Sequence, residues 1–222
     1  MFWEDWKHIT KLDPDKKITE RRLELVIESG TDAIMISGTQ NITNEKISNL
    51  ISMLGDYKIP KILEPVDPKL LRYDGVDHVF VPSIINTDDS RWFVGRHKEW
   101  IKNHKIRWDM ITPEAYLVLN PDSAVCRLTG SKTDLSADDV AAYAKCAEKY
   151  FNFPVIYVEY SGAFGDPKIV RKVRESLDES TLFYGGGIDS KSKALEMRKY
   201  ADTIVVGNVL YDDLGSFMET IP

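Results

Sequence analysis

The chain has 222 residues, 43% hydrophobic and 29% charged, with a net charge of -6. That length suits one large domain, taken here as residues 1–222, and the acidic balance argues against a nucleic-acid partner, which needs a basic face. No apolar run approaches the ~20 residues of a bilayer span, and the N-terminus has neither the basic nor the apolar region of a signal peptide. A cytoplasmic protein with no transmembrane segment, and at most peripheral membrane contact, is expected. Cys126 and Cys146 form no CxxC or Cys/His cluster, so no zinc or redox site is expected; both read as small buried side chains.

Short runs of β-formers recur at residues 8–12, 33–37, 61–64, 78–82, 115–119, 155–160, 181–184 and 203–206. Amphipathic stretches at 20–28, 45–54, 137–150, 167–177 and 190–199 separate most of them. Ser136 followed by Asp138 and Asp139, and Asp189-Ser190, mark helix starts. Strands alternating with helices imply a parallel sheet, and eight of them in this length imply an α/β fold of the closed (βα)8 type. Between Glu64 and His78, Pro65, Pro68 and Gly75 leave too little chain for a crossover helix. The third helix is therefore expected to be replaced by extended chain. Residues 103–112 match no pattern.

In such barrels the active site lies at the C-terminal ends of the strands, with phosphates often held after strands seven and eight. Strand one ends in Lys11-Leu12-Asp13-Pro14, which puts Lys11 and Asp13 on one face. A lysine suits an anionic substrate and a carboxylate at the mouth can hold Mg²⁺, although an Asp-Pro turn with a solvated lysine reads equally well. Strand two ends in Ser37-Gly38-Thr39-Gln40, which offers a hydroxyl. His97 and Trp100 lie three apart after strand four, a spacing that more often marks packing. Strand six carries Tyr157, Glu159 and Ser161 on one face and Val158 and Tyr160 on the other. If the first face looks into the mouth, Glu159 can take a proton from a hydroxyl; otherwise it is a structural acid paired with a lysine. Gly185-Gly186-Gly187 and Gly207-Asn208 follow strands seven and eight, where backbone N–H groups can gather round a phosphate. The Asp-Asp pairs at 88–89, 138–139 and 212–213 read as loops and caps, and the four histidines show no ligand spacing.

Several ordered segments carry a family resemblance. They include Trp6-Lys7-His8 through Pro14, Ser37-Gly38-Thr39-Gln40-Asn41, Asn120-Pro121-Asp122-Ser123-Ala124, Tyr157 to Gly162, Leu182 to Ile188, and Ile204 to Asn208. In these the chain closely resembles the geranylgeranylglyceryl phosphate synthases, archaeal ether-lipid prenyltransferases, and their bacterial heptaprenylglyceryl phosphate relatives. The resemblance implies a barrel with its third helix replaced, and a homodimer. It implies transfer of the geranylgeranyl group from its diphosphate to the C3 hydroxyl of sn-glycerol 1-phosphate, with Mg²⁺. Carried onto matching positions, Lys11, Tyr157, Val158, Glu159, Tyr160, Ser161, Gly162, Gly187, Gly207 and Asn208 hold glycerol 1-phosphate. Asp13 and Thr39 hold Mg²⁺, Glu159 is the base, and bulky Trp100 closes the prenyl groove for a twenty-carbon donor. The competing expectations are a longer prenyl donor, or a phosphosugar isomerase or aldolase on the same barrel, for which Lys11 is the candidate Schiff-base lysine.

Overall fold

A parallel barrel strand is covered on both faces, so it reads as a nearly continuous apolar run, and all eight runs form strands. The computed structural model describes residues 1–55 and 57–222. Its strands are β1 His8–Leu12, β2 Ala33–Ile36, β3 Lys61–Leu63, β4 His78–Ile84, β5 Ile111–Val118, β6 Val155–Glu159, β7 Thr181–Gly185 and β8 Thr203–Val206. Neighbours pair in parallel and β8 returns to β1, which closes the barrel. The helices are α1 Glu20–Ile27, α2 Asn44–Leu54, α3 Arg96–Asn103, α4 Ala124–Thr129, α5 Ala137–Phe151, α6 Pro167–Ser176, α7 Lys191–Met197, α8 Val209–Asp212 and α9 Leu214–Met218. No helix among the described residues is long and apolar enough to cross a membrane.

Alternation along the strands sorts the core into two layers. Ile9, Met35, Ile62, Phe80, Tyr157 and Phe183 fill the barrel, over Trp3 and Trp6 at its N-terminal end. Leu12, Ile34, Val158 and Ile204 face outward, against helix residues such as Leu23, Val170 and Met197. Burying large side chains on both sides of each strand supplies most of the driving force, at about 25 cal/mol per Å² of apolar surface removed from water.

Local signals set several element ends. Ser136 and Asp139 close a capping box at α5, and Asp166 caps α6 with Pro167 in its first turn. Ser190 stands at the start of α7 but its hydroxyl caps nothing and faces Ser192 instead, while Asp189 pairs with Lys193. Between β3 and β4 there is one short 3₁₀ turn, Pro68–Leu70, capped by Asp67, so the third crossover helix is absent as expected. β4 and β5 run further than their apolar cores suggest, pairing Val79–Ile84 with Ile111–Tyr116 through Pro82 and Pro113. A proline keeps an extended backbone and forfeits only its own N–H. Residues 103–112 thus divide between the end of α3, a 3₁₀ turn at Trp108–Met110 and the start of β5. The expectation of two buried cysteines fails. Cys146 is exposed on the outer face of α5 and Cys126 is half-buried on α4.

One buried acid ties helix to barrel. Glu148 on α5 accepts the backbone N–H groups of Asp178, Glu179 and Ser180 at 2.9, 2.7 and 3.0 Å, and Lys145 at 3.2 Å. Burial pushes its pKa up, but these donors outweigh burial and bring it down to about 2. A depressed pKa adds stability that is complete above the unfolded value of 4.5 and drains away as pH falls toward 2. Glu148→Gln should therefore lower Tm at pH 7 by about 5 °C, for a loss of roughly 2 kcal/mol. In thermal melts that gap should close between pH 4.5 and 2; a gap independent of pH would contradict the assignment.

Candidate active site

The C-terminal strand ends surround a cavity of about 640 Å³, within the range of small-molecule sites. Lys11, Asp13, Thr39, Trp100, Tyr157, Glu159, Ser161, Gly162, Gly187, Gly207 and Asn208 all line it. Two of the carried-over positions do not. Val158 belongs to the outer layer, and Tyr160 packs its ring against Tyr184 there while its N–H donates to Gly185 O at 2.7 Å. The pleat turns alternate residues to opposite faces, so a contiguous stretch from 157 to 162 cannot present every side chain to one ligand.

The polar end is built on β1, β5 and β6. Glu159, 3% exposed, accepts Tyr116 Oη at 2.9 Å on one oxygen and Ser161 Oγ at 2.7 Å on the other. Lys11 Nζ lies 3.0 Å from Glu64, 3.9 Å from Glu159 and 3.2 Å from the Tyr116 hydroxyl oxygen. Burial disfavours the Lys11 charge, but Glu64 and Glu159 outweigh it and hold the amine protonated above its ordinary range. Burial, reinforced by Glu159, pushes the Tyr116 and Tyr157 phenols well up, so both stay neutral O–H donors. The buried Tyr157 hydroxyl has no hydrogen-bond partner among the described residues although it borders the cavity.

The glycine turns complete this end. The N–H groups of Gly187, Gly207 and Asn208 donate to no protein acceptor among the described residues, leaving them for an oxyanion. Gly187 has φ +57°, and a Cβ there would sit 2.3 Å from the Phe164 nitrogen. Its glycine is thus required by the loop after β6 before any ligand is considered. Asn208 Oδ1 accepts Lys16 Nζ at 2.9 Å, which brings a cation beside the turn.

Asp13 and Thr39 lie at the ends of β1 and β2. Asp13 Oδ1 accepts Asp15 N–H at 2.9 Å and sits so close to Gly38 that a Cβ there would meet it at 2.5 Å. Together they present a carboxylate and a hydroxyl, hard oxygen donors of the kind Mg²⁺ takes with one or two protein ligands plus substrate phosphates. Among the described residues no three His, Cys, Asp or Glu side chains cluster as a metal cage. The Asp-Asp pairs do other work: Asp139 and Asp213 are helix caps and Asp88 pairs with Lys132.

From this end an apolar arm runs between β4, α3 and the extended segment after β3, lined by Val66, Leu71, Val81, Ile84, Trp92 and Trp100. Trp100 is 4% exposed and packs near Trp108 at 6.5 Å between ring centroids. Arg96 stacks on Trp92 at 3.9 Å and reaches Asp67 at 3.0 Å, joining α3 to the extended segment.

Sequence reasoning missed Glu64 and Tyr116. Both were within reach of the alternation that singled out Glu159, since Glu64 follows inward Ile62 by two residues and Tyr116 pairs across from Tyr157.

The arrangement has known counterparts. The geranylgeranylglyceryl phosphate synthase of Methanocella arvoryzae is 54% identical over 214 residues, 96% of this chain and 93% of that protein. The heptaprenylglyceryl phosphate synthase of Listeria innocua is 46% identical over 216 residues, 96% of each. The crystal structure of (S)-3-O-geranylgeranylglyceryl phosphate synthase from Thermoplasma acidophilum in complex with substrate sn-glycerol-1-phosphate is similar at a TM-score of 0.81 and 28% identity, covering 97% of this chain and 93% of that one. The PcrB family model matches residues 1–222, and the chain belongs to the PcrB family.

Proposed function

We propose that this barrel transfers a geranylgeranyl group from geranylgeranyl diphosphate to the C3 hydroxyl of sn-glycerol 1-phosphate, forming an ether and releasing diphosphate. The observation that carries it is a single cavity with free turn N–H groups and a buried acid at one end and an apolar arm at the other. The turns suit the glycerol phosphate, and Glu159 is placed to take the proton of its hydroxyl. The Tyr157 hydroxyl is a further donor for the glycerol. The arm suits an isoprenoid chain, and its walls exclude water from the allylic carbon, where positive charge develops as the diphosphate leaves. Fixing two substrates end to end removes much of the orientational entropy of their encounter.

Asp13 and Thr39 would hold Mg²⁺ at the mouth. Bound there, the ion supplies positive charge that stabilises the departing diphosphate. A Schiff-base aldolase would need a neutral amine, whereas Glu64 and Glu159 keep Lys11 charged. A cytoplasmic homodimer with peripheral membrane contact belongs to the same reading. The shallow apolar groove at Ile85, Phe93, Tyr143 and Phe151 offers a second copy a face to cover.

The assay uses purified protein, Mg²⁺, geranylgeranyl diphosphate, and either glycerol 1-phosphate or glycerol 3-phosphate. Diphosphate release with the 1-phosphate alone is expected; equal release with both, or none with either, would overturn the reading. Trp100→Ala should lengthen the arm and raise turnover of longer prenyl diphosphates relative to the twenty-carbon donor by about tenfold, since each pocket-filling group is worth 1–3 kcal/mol. An unchanged chain-length profile would remove Trp100 as the stop.

A further inference from the structure

Beneath Lys11 lies an acid that the reaction does not use. Glu114 on β5 is 0% exposed, and its side chain points into the barrel two residues before Tyr116. Neither of its carboxyl oxygens receives an N–H or O–H from any described residue. Glu64 is in a related position on one side only. Its Oε2 accepts Lys11 Nζ at 3.0 Å and the Ser37 hydroxyl, whereas its buried Oε1 receives nothing. Glu114 lies within hydrogen-bonding reach of Glu64.

The charges around this spot do not balance if every acid is ionised. Lys11 enters from β1, Glu64 from the end of β3, Tyr116 from β5, and Tyr157 and Glu159 from β6. One cation would face three carboxylates, in a space with no water-facing route for Glu114. An enclosed carboxylate without a donor is among the least favourable groups a protein can bury, and it takes up a proton instead. The same orphaned atoms are satisfied at once if Glu114 carries that proton, because its O–H then has one acceptor within reach, Glu64 Oε1. Two carboxyls sharing a proton are a recognised outcome of such crowding. Burial first, and then Glu64, drives the Glu114 pKa well above the usual carboxylate range, in agreement with the geometry.

We propose that Glu114 is a positioning residue, a neutral acid that donates its hydrogen to Glu64 Oε1 and so locks the carboxylate that holds Lys11 at the cavity floor. The arrangement leaves Glu64 ionised against Lys11, and it keeps Lys11 aimed between Glu64 and Glu159 where the glycerol phosphate is to bind. This last consequence rests on the substrate reading above; the protonation of Glu114 does not.

Infrared spectroscopy of the full-length, ligand-free protein at pH 7 tests the protonation. The carbonyl stretch of a protonated, buried carboxyl should be present in the wild type and absent from Glu114→Gln. A wild type without the band, or a band that survives in the Gln variant, overturns the proposal. Kinetics with glycerol 1-phosphate test the positioning. Glu114→Gln keeps an N–H donor of similar shape and should retain most of the wild-type affinity, while Glu114→Leu, which orphans Glu64 Oε1, should raise KM for glycerol 1-phosphate about tenfold. A Gln variant as impaired as the Leu variant would also overturn it. If Glu114→Leu does not fold, the infrared comparison of wild type and Gln variant still decides. Absence of turnover in the wild type would count against the substrate reading alone, leaving the infrared result to stand by itself.

Discussion

Glu159→Gln is expected to lower turnover by about 10²–10⁴-fold, the usual worth of a positioned general base, while the KM for glycerol 1-phosphate changes by no more than about threefold. The substitution is nearly isosteric, and the amide oxygen can still accept from Tyr116 or Ser161, which now hold the carboxylate at 2.9 and 2.7 Å. Lys11 keeps its nearer partner, Glu64 at 3.0 Å, so the cavity floor should hold its shape. What disappears is a group able to take the C3 hydroxyl proton as the ether bond forms. The measurement is diphosphate release in steady state, with glycerol 1-phosphate binding followed separately by calorimetry. Turnover within a few-fold of wild type would reject Glu159 as the base, and lost binding would recast it as a substrate anchor.

Asp13→Asn should cost about 10²-fold or more in turnover at a Mg²⁺ concentration that saturates the wild type, and should move the Mg²⁺ activation curve to higher concentration. A metal acting on a departing oxyanion is worth several kcal/mol, and among the described residues the donors at this mouth are few enough that losing one charge is not made good by another. The Asn side chain still offers an oxygen to the Asp15 N–H, now 2.9 Å from Asp13 Oδ1, so the turn after β1 should persist. The Asp13 backbone N–H, which donates to the Tyr211 hydroxyl at 2.9 Å, is untouched. Glycerol 1-phosphate binding measured without Mg²⁺ should be unchanged, because Gly187, Gly207 and Asn208 do not depend on Asp13. An activation curve superimposable on the wild type would remove Asp13 from the metal site.

Much of this site could be read from particular residues. Alternation on β6 already put Glu159 with Tyr157 and Ser161, and the barrel turns that face into the cavity. The same rule speaks against side-chain roles for Val158 and Tyr160, which entered only because the resemblance carried over an unbroken stretch. The glycine turns were legible as turns, but their second duty was not: that a Cβ on Gly187 would collide with Phe164 depends on how the loop after β6 folds back. Cys146 was misread because α5 is amphipathic and residue type alone does not say which face a small thiol takes. Short helices such as α4 and α8 left little periodicity to detect.

The sequence by itself determined the barrel, the missing third helix and the acceptor end of the cavity, because strand periodicity, prolines and glycines act over a few neighbouring residues. Only the tertiary structure decided how Lys11, Glu64, Glu114, Tyr116 and Glu159 share one interior. Those residues come from four strands spread over nearly 150 positions of chain, and their charges take meaning from one another only after the barrel has closed and water is gone. The apolar arm is likewise tertiary: Trp100 reads as ordinary packing until α3 is laid beside the extended chain that replaces the missing helix.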